Sequence, residues 1–367
     1  MPPSANRSAG LLDGVRVLDF GIWRPVPYAT QLLVEMGADV IKVEPPSGDP
    51  MRVFPDLFAV LNAGKRAVAV DLKDSAQRAQ VLGLARAADV VMEGYRPGVA
   101  ERLGVGYDVI CATNPAVVYC SLSGYGQTGP LRDVPGHDLN YQARAGVIEP
   151  RDAAGEPVVG RPPIADLAAG VFAAMGVCAA LVRAARTGRG EYVDVAMTDV
   201  LATWTGPLPV LHVDGGPALG GGVPGYGSFR TADGKWVVLG VIAENHLWDA
   251  LVAALGLDDA VGLSFVDRLP RLTELNARIG AVIGGLTRDD ALARLEGAGV
   301  PVSPVLGQTE LADDPQLNAR GVMRRGPDGR TLMGHPLTYR EHPAQVPSAV
   351  PPLTPLTDGL PSWRVPA

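Results

Sequence analysis

The sequence predicts an α/β protein with a parallel sheet in a large domain and a second, smaller domain. In the first third of the chain, short β-branched apolar runs alternate with helical segments of roughly 10–15 residues, the pattern of βαβ units. The 367 residues exceed the size of one average domain. The 45 glycines and 33 prolines imply many short elements separated by defined turns, and not a long helical bundle.

The amino-terminal elements follow from the apolar spacing and from the residues that end each segment. Strands are predicted at 15–20, 40–43, 67–70, 89–92 and 117–122, and helices at 28–36, 75–87 and near 107–113. Gly37 is suited to end the first helix in a left-handed conformation, and Asp74 is suited to cap the second. Because parallel sheets bind ligands at the carboxyl ends of their strands, we expect the site there.

A long Ala-rich helix is predicted at 167–186, with Asp166 at its N-cap position and a strand at 192–197 after it. Apolar residues surround this helix almost completely, so we expect it to be buried. The segment 213–228 is so rich in glycine that it is either a linker or a mobile lid. The elements predicted beyond it are a hairpin at 229–239, a helix at 247–255, two helical stretches within 272–298, a strand at 302–306 and an irregular tail after Arg340.

The composition excludes several classes of function. A formal charge of −7 argues against nucleic acid or an anionic membrane as the main partner. Cys111, Cys120 and Cys178 show no CxxC spacing, so we expect neither a disulfide framework nor a metal site. The amino terminus lacks the apolar core of a signal peptide, and no run of about 18 apolar residues predicts a membrane span. We therefore expect a cytoplasmic protein.

Two polar groups flank the middle of the chain and mark the candidate active site. His137 and Asp138 lie in Gly136-His-Asp-Leu-Asn-Tyr141, and Asp166 precedes the long helix. An imidazole and a carboxylate could move protons on opposite faces of an acidic carbon, or the carboxylate could act as a nucleophile. Structural roles are open for the same residues: a helix cap for Asp166, a turn for Asp138, and a surface or hydrogen-bonded position for His137.

One apparent nucleotide motif is rejected. Gly124-Tyr-Gly126-Gln-Thr-Gly129 fits G-x-G-x-x-G and follows a predicted strand. A dinucleotide fingerprint needs a helix that opens at the third glycine, because the helix N-terminus faces the pyrophosphate. A proline-bounded loop follows here instead, so NAD binding is not expected.

Several short motifs are spread along the chain, from Leu12-Asp-Gly-Val-Arg-Val-Leu18 to Pro301-Val-Ser-Pro-Val-Leu306. Between them lie Gly37-Ala-Asp-Val-Ile-Lys42-Val-Glu44-Pro, Leu61-Asn62-Ala-Gly-Lys65-Arg66, Asp71-Leu72-Lys73, Glu93-Gly-Tyr-Arg96-Pro-Gly and Ser123-Gly-Tyr-Gly-Gln-Thr-Gly-Pro130. Together these motifs resemble the family III CoA-transferase (CaiB/BaiF) superfamily, which also contains the α-methylacyl-CoA racemases. The resemblance covers nearly the whole chain, and it explains the apparent dinucleotide motif.

The resemblance implies a Rossmann-like large domain assembled from both chain ends, at 1–205 and 325–367, and a small α+β domain at 225–310. Residues 206–224 and 311–324 would be the linkers between them. The resemblance also implies an interlocked homodimer, in which two subunits are threaded through each other. The implied substrate is an acyl-CoA, with no cofactor beyond its CoA moiety.

The same resemblance gives basic residues a role on an acidic protein, since CoA carries a 3′-phosphate and a pyrophosphate. The residues implied to bind the CoA moiety are Lys42, Asn62, Arg66, Leu72, Lys73, Arg96, Gly124, Tyr125 and Gln127. A solvated surface charge is the simpler interpretation of any one basic residue, but the set lies near predicted strand ends and favours a ligand.

Two chemistries compete within the superfamily. The run from Gly136 to Tyr141 is similar to the racemase pattern, in which His137 and Asp166 are the two bases and Glu244 holds the histidine. The segments 27–30 and 42–52 instead resemble transferases, which need only the aspartate as a nucleophile. We expect racemisation of 2-methylacyl-CoA thioesters through an enolate, an isomerase activity of fatty acid metabolism. CoA transfer through Asp166 is the alternative, and a non-catalytic CoA-ester-binding protein is the third interpretation.

Overall fold

The structure is a computed structural model that describes residues 10–148, 159–205, 222–325, 331–347 and 349–364. The chain divides into two compact units, one formed by Met1–Leu208 with Asn318–Ala367 and the other by Pro209–Leu317. Most of the predicted glycine-rich segment at 213–228 lies outside the described residues, so neither a linker nor a lid can be assigned to it.

The strands, in chain order, are β1 (Arg16–Asp19), β2 (Asp39–Glu44), β3 (Arg66–Ala69), β4 (Val90–Glu93), β5 (Val118–Ser123), β6 (Glu191–Ala196), β7 (Tyr226–Arg230), β8 (Trp236–Gly240), β9 (Val302–Pro304), β10 (Met323–Arg325), β11 (Thr331–Met333) and β12 (Leu353–Pro355). The helices are α1 (Pro25–Glu35), α2 (Pro55–Asn62), α3 (Ser75–Ala85), α4 (Val99–Arg102), α5 (Tyr107–Cys111), α6 (Asp138–Arg144), α7 (Ile164–Thr187), α8 (Met197–Thr205), α9 (Asn245–Ala254), α10 (Phe265–Arg268), α11 (Leu272–Ile283), α12 (Arg288–Gly297) and α13 (Pro315–Ala319).

The first unit is built on a seven-stranded sheet in the order β12-β3-β2-β1-β4-β5-β6. Every pairing in this sheet is parallel, so the predicted fold class is confirmed. The central order 3-2-1-4-5-6 is that of a doubly wound Rossmann-like sheet, in which the direction of winding reverses between the first and fourth strands. That reversal leaves a crevice at the carboxyl ends of β1 and β4.

Both faces of the sheet are buried, because alternate residues along each strand point to opposite sides. On β1, Val17 packs in the core beneath α1 and α7, and Leu18 packs in the core that contains α3 and α5. The predicted first helix ends as expected, with Gly37 at φ +108° after the last turn. Asp74 caps α3 as predicted, since its Oδ1 accepts hydrogen bonds from the backbone of Ala76 and Gln77.

Two predictions for the first unit are wrong in part. The tail after Arg340 is not wholly irregular, because β12 pairs in parallel with β3 and extends the sheet. Helix α7 is not buried all round: Val171, Met175 and Val182 are each about half exposed. By length and composition alone, α7 is also apolar enough to cross a bilayer, although its other face packs on the sheet core as the central helix of a globular unit does.

The second unit contains a three-stranded antiparallel sheet in the order β7-β8-β9. The predicted hairpin is confirmed, with Gly234 at φ +77° in its turn. Helices α9, α11 and α12 cover the sheet and enclose a core around Trp248, whose indole nitrogen donates to the carbonyl of Ala260 at 2.8 Å.

Two glycines of the first unit provide a matched test of the packing. A Cβ added to Gly190 would lie 1.8 Å from the carbonyl oxygen of Val117, whereas a Cβ on Gly83 in α3 would meet no atom within 4 Å. We predict that Gly190→Ala destabilises the fold by about 3 kcal/mol, and that Gly83→Ala stabilises it by about 0.5–1 kcal/mol because alanine favours a helix. Urea denaturation of both variants measures this; a midpoint for Gly190→Ala at or above wild type would contradict the packing.

Candidate active site

Buried acidic side chains lie at the carboxyl ends of β1 and β4. Asp19 ends β1 and Glu93 ends β4, and both are almost fully buried. Burial raises the pKa of Glu93 to about 7, although hydrogen bonds from Ser121 and from the backbone of Tyr95 favour its ionised form. The sequence motif contained Glu93, but nothing in the pattern distinguished it as a buried carboxylate.

Helix α7 begins three residues earlier than predicted, and Asp166 is not its N-cap. The N-cap is Pro163, and Asp166 lies in the first turn. The capping group comes from another helix: Oδ1 of Asp138 accepts hydrogen bonds from the backbone N–H groups of Ala165, at 2.8 Å, and of Asp166, at 3.2 Å. The Asp166 carboxylate is therefore not occupied by capping its own helix.

Asp166 lies in an environment that disfavours its negative charge. Burial is the main effect, and the nearby charge of Asp138 adds to it, while Arg24 opposes both; together they raise the pKa of Asp166 to about 7. Its position is set by close packing one turn later, where a Cβ on Gly170 would lie 2.9 Å from the ring of Tyr28 and 3.0 Å from the carbonyl oxygen of Pro25. The start of α1 therefore lies against the first turns of α7.

The second predicted catalytic residue, His137, is the N-cap of α6 and is exposed. Its backbone N–H donates to Oδ1 of Asn140 at 2.9 Å, which is half of a capping box. Asp138 follows directly and reaches the backbone of Asp166, so the structure brings the two predicted polar groups to neighbouring positions. A turn was the structural role open to Asp138 in the sequence, but its carboxylate binds the backbone of α7 instead. Gln142 donates to the other carboxylate oxygen of Asp138 and fixes its orientation.

Aromatic rings form one wall beside this site. Tyr141 packs edge-on against Tyr125, with ring centroids 5.2 Å apart. A Cβ on Gly124 would lie 2.3 Å from the Tyr141 ring, and one on Gly136 would lie 2.8 Å from it, so both positions require glycine. The helix that follows Gly129 is α6, which starts only at Asp138; the rejection of the dinucleotide motif is therefore confirmed.

The predicted CoA-binding residues fall into separate places. Leu72 and Lys73 line a cavity of about 200 Å³ at the carboxyl edge of the sheet, together with Ile22, Val43 and Tyr95. Arg66 instead begins β3, at the opposite edge, where it forms an ion pair with Asp39 at 2.6 Å. The structure does not bring Arg66 together with Leu72 and Lys73.

The other predicted CoA ligands divide in the same way. Arg96 is exposed, and its charge acts on Tyr141, close to Gly124 and Tyr125. The backbone of Gln127 donates to Asp194 at 3.0 Å. Lys42 and Asn62 are fully buried, and each bonds to protein groups. Their assignment to CoA stays a prediction.

Sequence reasoning missed the buried charge cluster to which Lys42 and Asn62 belong. The cluster comprises Asp19, Thr30, Lys42, Glu44, Asp49, Arg52, Asn62 and Lys65. The ammonium of Lys65 lies 3.1 Å from Oδ2 of Asp19, and it also donates to the side chains of Thr30 and Asn62, at 2.8 and 2.9 Å. Lys42 forms a buried ion pair with Asp49 at 3.0 Å. Burial lowers the pKa of Lys65 to about 8, and the charge of Asp19 opposes this shift.

Glu244, predicted to hold His137, belongs to the other compact unit. It is the N-cap of α9, is exposed, and accepts a hydrogen bond from the backbone of Ile242 at 3.3 Å. Its pairing with His137 stays a prediction. Among the described residues, no group of three or more His, Cys, Asp and Glu side chains is arranged to hold a metal ion.

Comparison with known proteins agrees with this architecture. The family model for CoA-transferase family III matches residues 12–354. The acetyl-CoA:oxalate CoA-transferase of Acetobacter aceti is 33% identical over 352 residues, which cover 89% of each chain. The succinyl-CoA:mesaconate CoA-transferase of Haloarcula marismortui is 33% identical over 367 residues, covering 90% of this chain and 91% of that one.

Solved structures show the same fold. A CaiB/BaiF family protein from Brucella suis superposes with a TM-score of 0.81 at 28% identity, over 94% of this chain and 97% of that one. A hypothetical protein from Mycobacterium tuberculosis superposes with a TM-score of 0.84 at 30% identity, over 95% and 98%. With the whole length matched in sequence and in structure, this chain belongs to CoA-transferase family III.

Proposed function

We propose that this enzyme transfers CoA between carboxylic acids through covalent intermediates on Asp166. The observation that carries the proposal is the Asp166 carboxylate, which lies half-buried in the first turn of α7 while Asp138 caps that helix in its place. Among the described residues, none donates a hydrogen bond to this carboxylate, and a free carboxylate next to the positive end of a helix is suited to act as a nucleophile. The relatives above, which are named as CoA-transferases, support this function over racemisation, the leading expectation from the sequence.

The reaction balances with CoA and two acids alone. The Asp166 carboxylate attacks the thioester carbonyl of the donor, the C–S bond breaks, and CoA leaves as a thiolate from the resulting aspartyl anhydride. The thiolate then attacks the carbonyl carbon of Asp166, which releases the donor acid and leaves CoA on Asp166 as a thioester. The acceptor carboxylate reverses the two steps and leaves with CoA.

The electrostatic environment of Asp166 fits this chemistry. Burial and the neighbouring charge of Asp138 both disfavour a negative charge on the carboxylate. Acylation removes that charge, so the same environment favours the neutral anhydride and thioester over the free carboxylate. The N-terminus of α7 would stabilise the oxyanion that forms as Asp166 is attacked.

Racemisation is the second candidate, favoured by one observation. Asp138 links the N-cap of α6, where His137 lies, to the first turn of α7, where Asp166 lies, so an imidazole and a carboxylate are near each other. An exposed histidine at a helix N-cap is equally consistent with a structural position, and transfer does not require it.

One incubation separates the two functions. The enzyme is mixed in deuterated water with one epimer of 2-methylbutyryl-CoA and no acceptor acid, and both protein and thioester are followed by mass spectrometry. We expect a protein adduct with the mass of CoA less one water, as a thioester on Asp166 requires, and no deuterium at the α-carbon. Asp166→Ala should abolish the adduct, and His137→Ala, the control, should retain it. Deuterium uptake with epimerisation, lost in both variants, would instead establish a racemase and overturn the proposal.

The pH dependence of transfer tests the electrostatic role of Asp138. Because the nucleophile must be ionised and the pKa of Asp166 is about 7, kcat/KM should fall about tenfold per pH unit below that value. Asp138→Asn keeps a capping oxygen but removes the charge that raises the pKa of Asp166. We therefore expect the acid limb to move to lower pH by about half a unit to one unit.

Asp138→Ala is the control for that experiment, since it also removes the cap and should cost about 1 kcal/mol of stability. An acid limb that does not move in Asp138→Asn, or that moves to higher pH, would show that Asp138 does not act on Asp166 through its charge.

We also infer that the protein acts as a homodimer. The half-exposed face of α7 presents Val171, Met175 and Val182, and Trp204 on α8 is 47% exposed beside Phe172. An apolar face of this kind is typical of an interface between subunits. The interlocked arrangement implied by the family resemblance would cover it.

Met175→Glu tests this inference, because a carboxylate at the centre of a buried interface is unpaired and strongly unfavourable. We expect light scattering after gel filtration to give twice the chain mass for the wild type and the single chain mass for the variant. Val53→Glu changes a side chain that is 72% exposed on the same unit and serves as the control. A wild-type protein that elutes as a monomer would contradict the inference.

A further inference from the structure

Arg24 is a cation that lies beside the proposed nucleophile and has no hydrogen-bond or ion-pair partner among the described residues. It is the last residue of the loop between β1 and α1, at the N-cap of α1, and its side chain is half-buried. Within the described part of the chain, its guanidinium makes no hydrogen bond and no ion pair. Most other half-buried arginines of the first unit are paired: Arg52 with Glu44 and Arg66 with Asp39, for example. An unpaired guanidinium in such a place is available to a ligand.

Packing places Arg24 next to Asp166. Gly170 lets the carbonyl of Pro25, the residue after Arg24, approach α7 so closely that a Cβ there would be 3.0 Å away. Asp166 is four residues before Gly170 and therefore lies on the same face of α7, one turn closer to its start. Consistent with this geometry, the charge of Arg24 favours the ionised form of Asp166.

The loop that presents Arg24 is held in an unfavourable backbone conformation. Trp23 has φ +61°, the left-handed region, which costs a bulky residue about 1–3 kcal/mol. Its backbone N–H donates to Oδ1 of Asp49 at 3.2 Å, and Asp49 is itself fixed by Lys42 at 3.0 Å and by Glu44. Such a conformation persists only where its surroundings determine it, so the buried charge cluster fixes the position from which Arg24 extends.

The charge on Asp166 changes during the proposed reaction, and with it the counter-charge of the Arg24 guanidinium. In the free enzyme the Asp166 carboxylate is a counter-charge for Arg24. Once Asp166 is an anhydride or a thioester it is neutral, and among the described residues no carboxylate forms an ion pair with the half-buried guanidinium. The reacting carboxylate of the substrate cannot supply one throughout, because it too becomes neutral when it is acylated. A second carboxylate on the acyl group keeps its charge at every stage.

We infer that Arg24 binds a second carboxylate on the acyl group, so that the acids this enzyme esterifies with CoA are short dicarboxylic acids. This inference rests on the proposed function, because it assumes that the acyl group is bound next to Asp166. Bidentate binding of a carboxylate by arginine would also fix the orientation of the acyl group relative to the nucleophile.

Succinyl-CoA and butyryl-CoA test the inference, because they differ only by a carboxylate in place of a methyl group. In a single turnover without acceptor acid, intact-protein mass spectrometry measures the rate at which CoA becomes attached to Asp166. The measurement is made at pH 8.5, so that Asp166 is ionised in all variants. We expect the wild type to react at least tenfold faster with succinyl-CoA at subsaturating concentration.

Arg24→Leu should abolish that preference while retaining the rate with butyryl-CoA to within about threefold, and Arg24→Lys should restore part of the preference. Arg86→Leu, which replaces an exposed arginine at the end of α3, should leave both rates unchanged. Equal rates for the two thioesters in the wild type, or an equal loss for both in Arg24→Leu, would overturn the inference. If no adduct forms with either thioester, the proposed function fails instead, and the two failures are distinguishable.

Discussion

The ion pair between Lys65 and Asp19 is the contact on which the rest of the first unit depends. It joins the carboxyl end of β1 to α1 and to the end of α2, because the same ammonium also bonds to Thr30 and Asn62. All four side chains are buried, so the loss of one partner would leave a charge without solvent, at a cost of about 3–5 kcal/mol. The crevice of the sheet is therefore fixed by charge as well as by apolar packing.

A second carboxylate, Asp138, separates two roles at the start of α7: it caps the helix, and Asp166 does not. By capping α7 from a neighbouring helix, it satisfies backbone groups that an aspartate inside the helix would otherwise satisfy. Asp166 is thus left with a side chain that nothing in its own helix uses. The proposed nucleophile and the cap are both aspartates, and the separation of their roles follows from which helix each one belongs to.

The sequence predicted the parallel sheet well, because buried β-branched runs and the glycines and aspartates that end helices are local signals. It placed the N-cap of α7 at Asp166, because the spacing of residues along a helix cannot reveal a capping oxygen that comes from a distant segment. The cluster around Lys65 was equally hidden: Lys42 was predicted to bind CoA and Lys65 was only part of a motif, and three-dimensional packing alone pairs them with carboxylates. Arg24 carried no signal in the sequence, because its significance lies in having no ion-pair partner among the residues that the structure describes. β12 was missed because three residues among prolines have no detectable period.

The parallel pairing of β12 with β3 has a consequence for how this protein is made. About three-quarters of the chain separates the two strands in sequence, so the edge of β3 stays open until β12 has been synthesised and released from the ribosome. An open strand edge can pair with other chains, and contacts this distant in sequence form late. Nascent chains should depend on a chaperone to keep that edge from pairing with a neighbour before β12 is available.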